Sequence, residues 1–257
     1  MIEIRPIRKE EAAPFLRLLC DVFLLDYGRA HQVFFNEPLY NLDRKWALFV
    51  AGEMTSILTT TALQFGWGKA AGIAGVATVP DRQGQGHASR LIQHVLRHGQ
   101  SIGEGAALLF ARKEIVYARV GFQTRDHVIR AALPTQRQEN ECEPLEFDRV
   151  REIYHAWASA DRNRLQRDAK RWRYWLWHYR TSIPFHDGYV THEPGYLREV
   201  VLFQPERSLV FDPGTEWYGT TTLAESLQLP IGEPKHELFL MAHNFPGVPQ
   251  MYMTDQF

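Results

Sequence analysis

The segment from Gly72 to Ala88 constrains the fold of this chain more than any other part of its sequence. An apolar run from Gly75 to Val79 is followed by Pro80, a glycine-spaced turn, and a pattern typical of a helix that begins near Gly86. Glycine lets a main chain approach an anion closely, and the free N–H groups of a helix's first turn favour negative charge. The segment therefore predicts a strand–turn–helix unit that binds a phosphate through main-chain amides.

Two common phosphate-binding motifs do not fit this turn. A Walker loop requires Gly-Lys-Ser or Gly-Lys-Thr at its end, whereas His87 and Ala88 follow Gly86. A dinucleotide-binding fingerprint requires a further glycine at the position of Ser89, and it opens a βαβ unit. Nucleoside-triphosphate hydrolysis and dinucleotide binding are therefore disfavoured, while an ordinary strand-to-helix turn with two glycines remains an alternative on this motif alone.

Two motifs in order resemble landmarks of the GNAT superfamily of N-acetyltransferases. Gln-Gly-Gln-Gly-His-Ala at residues 83–88 resembles the Gln/Arg-x-x-Gly-x-Gly/Ala turn that holds the pyrophosphate of acetyl-coenzyme A, and Tyr117-x-x-x-Gly-Phe resembles the motif whose tyrosine faces the cofactor sulfur. An apolar run at 106–111, typical of a buried strand, lies between them. The resemblance implies acetyl-coenzyme A as cosubstrate, bound by Val76, Ala77 and Thr78 along the pantetheine arm and by Gln83, Gly84, Gln85, Gly86, His87, Ala88 and Ser89 at the pyrophosphate.

The first half of the chain predicts a mixed α/β sheet. Alternating apolar residues at 2–7, a helical pattern at 9–25 and strand-like runs at 45–50 and 56–65 precede the glycine turn, and a loop-like stretch at 36–42 contains Pro38. Residues 1–133 accordingly predict the order β-α-α-β-β-β-α-β-α-β, with helices on both faces of the sheet. The resemblance identifies this part as a GNAT domain with the acetyl-coenzyme A site.

The second half predicts a smaller α/β unit. Residues 134–145 are polar and contain Pro134 and Pro144, which indicates a connector. Helical patterns at 147–158 and 166–179 carry aromatic stripes typical of core, and the remainder has strand-like runs at 188–192, 198–204, 208–211, 238–242 and 250–257 and a helical run at 222–227. This half carries Ile153-Tyr154, then Arg167 and a helix with Trp172-x-x-Trp175-Leu176, then short strands. With these residues, 146–257 resemble the degenerate GNAT-like second domain of the enhanced-intracellular-survival (Eis) family of aminoglycoside acetyltransferases, and we expect no counterpart of that family's sterol-carrier-like domain.

Composition narrows the class of protein. A net charge of −1 argues against a general polyanion binder, and the bases and rings interleaved at 170–175 are assigned to a core helix rather than to nucleic-acid binding because the rings share one face. The absence of a long apolar run or a signal-peptide core predicts a cytoplasmic protein without a membrane span.

Cys20 and Cys142 are expected to be inert thiols. His186, Asp187 and His192 lack the spacing of a metal site, so no metal is expected. Sheet edges and many aromatic residues are compatible with a homo-oligomer.

The chemistry of acetyl transfer indicates candidate catalytic residues. Tyr117 is the candidate general acid, since a phenol with a pKa of about 10 stays protonated at neutral pH and can protonate a thiolate. In the resembled family the C-terminal carboxylate, on a phenylalanine, is the base, which implies this role for Phe257. A carboxylate and an amine differ by about seven pKa units, so the carboxylate more readily anchors the ammonium and passes its proton to water. His87, His127 and His243 are alternative bases.

The sequence thus predicts an N-acetyltransferase acting on a primary amine of a small molecule by direct attack in a ternary complex. An aminoglycoside-like polycation, attracted by Asp21, Asp26 and Glu37, is one acceptor compatible with it. The alternative is a non-catalytic acyl-coenzyme A sensor that has the turn but no acceptor pocket.

Overall fold

A computed structural model of the chain describes residues 1–134, 143–178, 181–191, 193, 195–205 and 210–257. The strands are β1 (Ile2–Pro6), β2 (Lys45–Val50), β3 (Glu53–Phe65), β4 (Gly68–Thr78), β5 (Ala106–Ala111), β6 (Gln123–Ala132), β7 (Leu165–Gln166), β8 (Ser182–Phe185), β9 (Gly188–Thr191), β10 (Tyr196–Leu197), β11 (Val200–Val201), β12 (Glu216–Thr220) and β13 (Lys235–His243). The helices are α1 (Ala12–Phe23), α2 (Tyr27–Asn36), α3 (His87–Ser101), α4 (Ile115–Ala118), α5 (Phe147–Ser159), α6 (Ala169–His178) and α7 (Thr221–Ser226). Short 3₁₀ turns occur at Lys9–Glu11, Leu42–Arg44, Pro80–Arg82 and Met253–Asp255.

Most strands belong to one mixed sheet in the spatial order β1-β2-β3-β4-β5-β13-β6-β12-β10, with β7 paired to β3. Neighbours from β1 to β4 are antiparallel, β4 and β5 are parallel, and β13 is antiparallel to both β5 and β6. A strand near the end of the chain therefore lies between two strands of the first half. The strands β11, β9 and β8 form a separate small antiparallel sheet. The predicted mixed α/β fold is confirmed.

Alternation along β2 explains why helices cover both faces of this sheet. Trp46 and Leu48 pack in the same cluster as Leu91 and Ile92 of α3. Ala47 and Phe49, the residues that alternate with them, pack in the cluster that contains α1. Successive side chains of a strand point to opposite faces, so one strand contributes to two hydrophobic cores. A further cluster joins α5 and α6 to the small sheet and includes Trp172 and Trp175, which confirms the assignment of the α6 rings to a core.

The predicted element order for the first half, β-α-α-β-β-β-α-β-α-β, is confirmed by the helices and strands from β1 to β6. The strand predicted at 250–257 is wrong, since Met253–Asp255 forms a 3₁₀ turn. The turn forms because Asp255 is buried and its carboxylate pairs with the buried Arg167. The run at 198–204 forms only the two-residue β11.

The predicted division at 1–133, 134–145 and 146–257 stays a prediction. One sheet contains strands from both halves of the chain. Residues 135–142 of the connector, with Cys142, lie outside the described residues, as do Tyr179, His192 and residues 208–209 of a predicted strand.

Cys20 is buried and free, as expected of an inert thiol. None of the helices in the described ranges combines the length and hydropathy that a bilayer-spanning segment needs. The described residues contain no group of three or more His, Cys, Asp or Glu side chains arranged to hold a metal ion.

Candidate active site

Strands β4 and β5 separate in the middle of the sheet. Their parallel pairing runs from Ala70 with Ala106 to Ile73 with Leu109. β4 continues to Thr78, and in the described part of the chain no strand pairs with this edge of β4 after Ile73. Main-chain N–H and C=O groups of the following residues are therefore available to an extended ligand, which can bind to such an edge as an added strand does.

A β-bulge accompanies the separation. The register of β4 with β3 shifts between Ile57 and Thr59, so that one residue of β3 faces both Gly75 and Val76. Gly75 has a φ of +59°, a conformation that glycine adopts without steric cost. A bulge bends its strand and increases its twist. The predicted pantetheine-binding residues, Val76 to Thr78, follow this bulge and lie on the separated end of β4.

The glycine turn after β4 exposes a row of main-chain amides. Gly84 and Gly86 have φ values of +76° and +78°, and a Cβ atom on either would meet nothing within 4 Å. The first helical bond of α3 runs from the Arg90 amide to the Gly86 carbonyl at 3.0 Å. Among the hydrogen bonds of the described residues, none gives an acceptor to the amides from Gly84 to Ser89. This arrangement can bind an anion, because these amides lie at the positive end of a long helix.

Side chains of the turn tie it to the end of β4. Gln83 Nε2 donates to the Thr78 carbonyl at 3.2 Å, and the Nε2 of His87 lies 3.3 Å from Gln85 Oε1. Residues 81–86 are exposed, and the three that follow are partly buried. The structure thus groups all the predicted pyrophosphate-binding residues in one turn that is open to solvent.

Tyr117 lies on the far side of the gap between the strands. It belongs to the single-turn helix α4 and packs partly buried beside Phe122, with 6.3 Å between ring centroids. Tyr117 lines a cavity of about 380 Å³, called here the Tyr117 cavity, together with Gly75, Val76 and Arg112. Burial raises the pKa of Tyr117 above its usual value. The phenol therefore remains protonated throughout the physiological range.

Phe257 lies at the boundary between the Tyr117 cavity and a larger one. The second cavity, called here the α1–α2 cavity, has a volume of about 560 Å³. Ala74, Gly75 and Phe257 line both cavities. The Phe257 ring lies 5.6 Å from the ring of Phe110, centroid to centroid, and against Gly72, where an added Cβ would come within 2.8 Å of three ring carbons. The two predicted catalytic residues, Tyr117 and Phe257, are therefore brought to one cavity.

A buried ionic cluster holds the segment that precedes Phe257. The Arg167 guanidinium lies 2.6 Å from Glu199 and 2.8 Å from Asp255, and all three side chains are fully buried. Burial alone would lower the pKa of Arg167, but the two carboxylates raise it well above its usual value. Arg171 donates to the Asp255 carbonyl at 3.2 Å. These contacts fix the direction in which the chain enters the site.

The candidate histidine bases lie elsewhere. His87 is in the turn, His127 lies on β6 with its ring 5.2 Å from that of His236, and His243 packs against Phe122 at 5.7 Å. Burial lowers the pKa of His243. None of the three lines the Tyr117 cavity or the α1–α2 cavity. The arrangement therefore gives these histidines no direct place beside Tyr117.

Several site residues were missed by sequence reasoning. The role of Gly72, which makes room for the Phe257 ring, had a signal in the glycines of β4, since glycine inside a strand marks a bulge or a close approach. Arg112, exposed beside the Tyr117 cavity, had no distinguishing pattern. The buried ionic cluster of Arg167, Glu199 and Asp255, called here the Arg167 cluster, had no such pattern either, because its members are far apart in the sequence.

A substitution at Gly72 tests the position of Phe257. Gly72→Ala places a methyl group where the Phe257 ring lies, so we expect the ring to move and turnover to fall about fivefold to tenfold, with little loss of cofactor affinity. The double variant Gly72→Ala/Phe257→Leu provides space for the methyl group and should recover part of the rate. Steady-state kinetics of both variants checks this, and equal rates in Gly72→Ala and the parent would contradict the placement.

The family comparison agrees with this geometry. Residues 3–125 match the model described as Acetyltransferase (GNAT) domain. The chain therefore carries a GNAT domain, which classes it as an acyltransferase and confirms the resemblance read from the two motifs. No curated protein shows significant sequence similarity to this chain.

Solved structures extend the similarity of fold over most of the chain. The GCN5-related N-acetyltransferase from Kribbella flavida has a TM-score of 0.71 at 16% identity, with 94% of this chain and 70% of that chain covered. The one from Anabaena variabilis has a TM-score of 0.67 at 16% identity, with 94% and 72% covered. Eis1 from Mycobacterium abscessus has a TM-score of 0.62 at 17% identity, with 93% and 73% covered. The resemblance to the Eis family is thus supported at the level of fold.

Proposed function

We propose that the protein is an N-acetyltransferase that transfers the acetyl group of acetyl-coenzyme A to a primary amine of a small molecule. The free edge of β4, the open amides of residues 84–89 and Tyr117 would bind and orient the donor. The amine would approach from the α1–α2 cavity and attack directly within a ternary complex.

The observation that carries this proposal is the junction of the two cavities at Gly75 and Phe257. A donor bound along β4 would place its thioester in the Tyr117 cavity, and the neighbouring cavity offers the space that an acceptor needs. A pure acyl-coenzyme A sensor has no need of this second space. The α1–α2 cavity therefore favours the enzyme over the sensor.

Tyr117 is proposed as the general acid. The amine lone pair forms a C–N bond at the carbonyl carbon, the C–S bond breaks, and the departing thiolate takes the phenolic proton. A main-chain amide beyond the bulge at Gly75 is suited to stabilise the developing oxyanion. These assignments follow the resemblance and the lining of the Tyr117 cavity.

Phe257 is proposed to hold the acceptor nitrogen. If residue 257 carries the α-carboxylate, that group belongs to a residue that lines both cavities, where it would anchor the ammonium and pass its proton to water. The Arg167 cluster supports this role, since it fixes the preceding Asp255.

An assay of thiol release tests the function. We expect acetyl-coenzyme A to yield free coenzyme A with at least one class of primary amine, and the melting temperature to rise on adding coenzyme A. Stabilisation without thiol release in any amine, peptide or polyamine would favour the sensor. The absence of both effects would overturn the donor site itself.

A matched pair of glycine variants tests the amide turn. Gly86→Val adds a side chain in the space where the anion would lie, so we expect the Kd for coenzyme A to rise at least tenfold. Gly103→Val is the control, because Gly103 has a φ of +81°, has no neighbour within 4 Å of its added Cβ, and follows the other end of α3. Both variants carry similar backbone strain. If calorimetric titration gives the two variants equal affinity for coenzyme A, the proposed pyrophosphate site in this turn is contradicted.

A further inference from the structure

The lining of the α1–α2 cavity is mainly apolar. Its walls come from α1, α2 and the loops that follow them, from β2, β3 and the bulged part of β4, and from one tyrosine of α6. The apolar side chains in the lining are Leu16, Leu19, Leu24, Leu25, Ala30, Val33, Phe34, Leu39, Ala74 and Phe257. A volume of about 560 Å³ falls within the ordinary range for small-molecule sites.

The side-chain charges in this cavity balance one another. Its ionisable side chains other than the tyrosine are Asp26, Arg29, Glu37 and Lys45, two acids and two bases. Asp26 caps α2, where its carboxylate accepts from the Arg29 amide at 2.8 Å. Glu37 lies 3.7 Å from the ammonium of Lys45. The acidic groups are therefore engaged by the protein itself.

The most deeply placed charge in the cavity is a cation. The Lys45 side chain is 3% exposed, and its ammonium lies 4.4 Å from the ring centroid of Phe34 and 5.3 Å from that of Tyr40. Burial lowers the pKa of Lys45 and raises that of Glu37, each opposed by the partner's charge. A polycation entering here would lose water from several ammonium groups without gaining as many anionic partners.

The mouth of the cavity is apolar as well. Leu24, Leu25 and Val33 are 91%, 49% and 47% exposed, and all three line the cavity. Exposed apolar side chains grouped at the entrance of a pocket are typical of a binding surface. Because Ala74, Gly75 and Phe257 line both this cavity and the Tyr117 cavity, its occupant would lie beside the thioester.

We infer that the acceptor of this enzyme is a hydrophobic monoamine, an alkyl or arylalkyl amine with one basic nitrogen, rather than a polycation. This inference rests on the proposed acetyl transfer. The apolar body fills the α1–α2 cavity and the nitrogen lies towards Gly75 and Phe257. Attack joins this nitrogen to the acetyl carbon and releases coenzyme A as the thiol, so the product is a neutral N-substituted acetamide.

A homologous series of n-alkylamines tests the inference. Ethylamine, butylamine and hexylamine have similar basicity, so differences among them report apolar contact. We expect kcat/KM to rise about threefold per added methylene up to hexylamine. Phenethylamine should be acetylated at least about tenfold more efficiently than spermidine or kanamycin.

Surface variants at the mouth give the structural control. Leu24→Asn suits the positive φ of +55° at that position, and Val33→Asn changes an exposed side chain of α2. Both should raise the KM for hexylamine about threefold to fivefold and change the KM for ethylamine less. Ile102→Asn is the matched control, since Ile102 is 46% exposed and lines neither cavity.

The outcomes separate this inference from the function. Thiol release with spermidine or kanamycin at equal or higher efficiency than with hexylamine would overturn the inference and leave the acetyltransferase intact. Calorimetric titration of the coenzyme A complex with hexylamine measures binding of the amine in the absence of acetyl transfer. Saturable binding there supports the inference even where turnover fails. Absence of binding together with absence of turnover overturns it.

Discussion

Tyr117→Phe is expected to lower kcat by about 10²- to 10³-fold while changing the Kd for acetyl-coenzyme A less than about twofold. The substitution removes only the phenolic hydroxyl, and the ring keeps its packing beside Phe122. Loss of the proton donor leaves the departing thiolate to be protonated by water. Because acetyl transfer releases coenzyme A, the rate at which free thiol appears measures kcat directly.

The pH profile sharpens this prediction. Because burial raises the pKa of Tyr117 above its usual value of about 10, the phenol keeps its proton as the pH rises through the neutral range. The rate should therefore increase with pH as the acceptor amine loses its proton, and it should fall only above pH ~10. In Tyr117→Phe that descending limb should be absent.

A matched tyrosine controls for general effects of losing a hydroxyl. Tyr218 on β12 is partly buried, its pKa is also raised by burial, and it lines neither cavity of the site. Tyr218→Phe should retain the parental rate. A Tyr117→Phe variant with turnover equal to that of the Tyr218→Phe control would remove Tyr117 from the mechanism.

Asp255→Ala is expected to lower the free energy of unfolding by about 3–5 kcal/mol, because it leaves Arg167 buried with one carboxylate fewer. Arg167 also packs over the ring of Tyr154 at 3.8 Å and cannot move to solvent without opening the core. Urea denaturation measures the change. Asp148→Ala is the control, since the Asp148 side chain is 85% exposed and its contact with Arg151 should contribute less than about 0.5 kcal/mol.

A second variant distinguishes loss of the ion pair from simple loss of volume. Asp255→Asn keeps the side-chain volume and removes the charge, so it should lose most of the stability that Asp255→Ala loses. Turnover should stay low in both variants, because Phe257 has lost the contacts that direct it into the site. A stability loss below ~1 kcal/mol in Asp255→Ala would mean that the cluster does not hold this segment.

The local part of the site could be read directly from the residues. Glycines at 84 and 86 followed by a helical pattern predict the amide turn, and the structure has both glycines at positive φ with free amides beyond them. The order of elements up to β6 was equally accessible, because period-2 and period-3.6 patterns lie within short windows. Such features depend on neighbours in sequence.

The non-local part could not be read in this way. The strand predicted at 250–257 failed because burial of Asp255 against Arg167, which lies far away in the sequence, overrides the local pattern. The acidic residues 26 and 37 suggested attraction of a polycation, whereas the structure places Glu37 beside Lys45 and gives Asp26 a capping role. Charge in a sequence carries no information on which partner already neutralises it.

The sequence by itself determined the GNAT domain, the amide turn and the tyrosine, because each is encoded by contiguous residues whose backbone and side-chain preferences act locally. Only the tertiary structure decided the separation of β4 from β5, the insertion of β13 between β5 and β6, and the junction of the two cavities at Gly75 and Phe257. The physical reason is that strand pairing and cavity shape depend on contacts between segments that are distant in the sequence. These contacts form only when the chain folds.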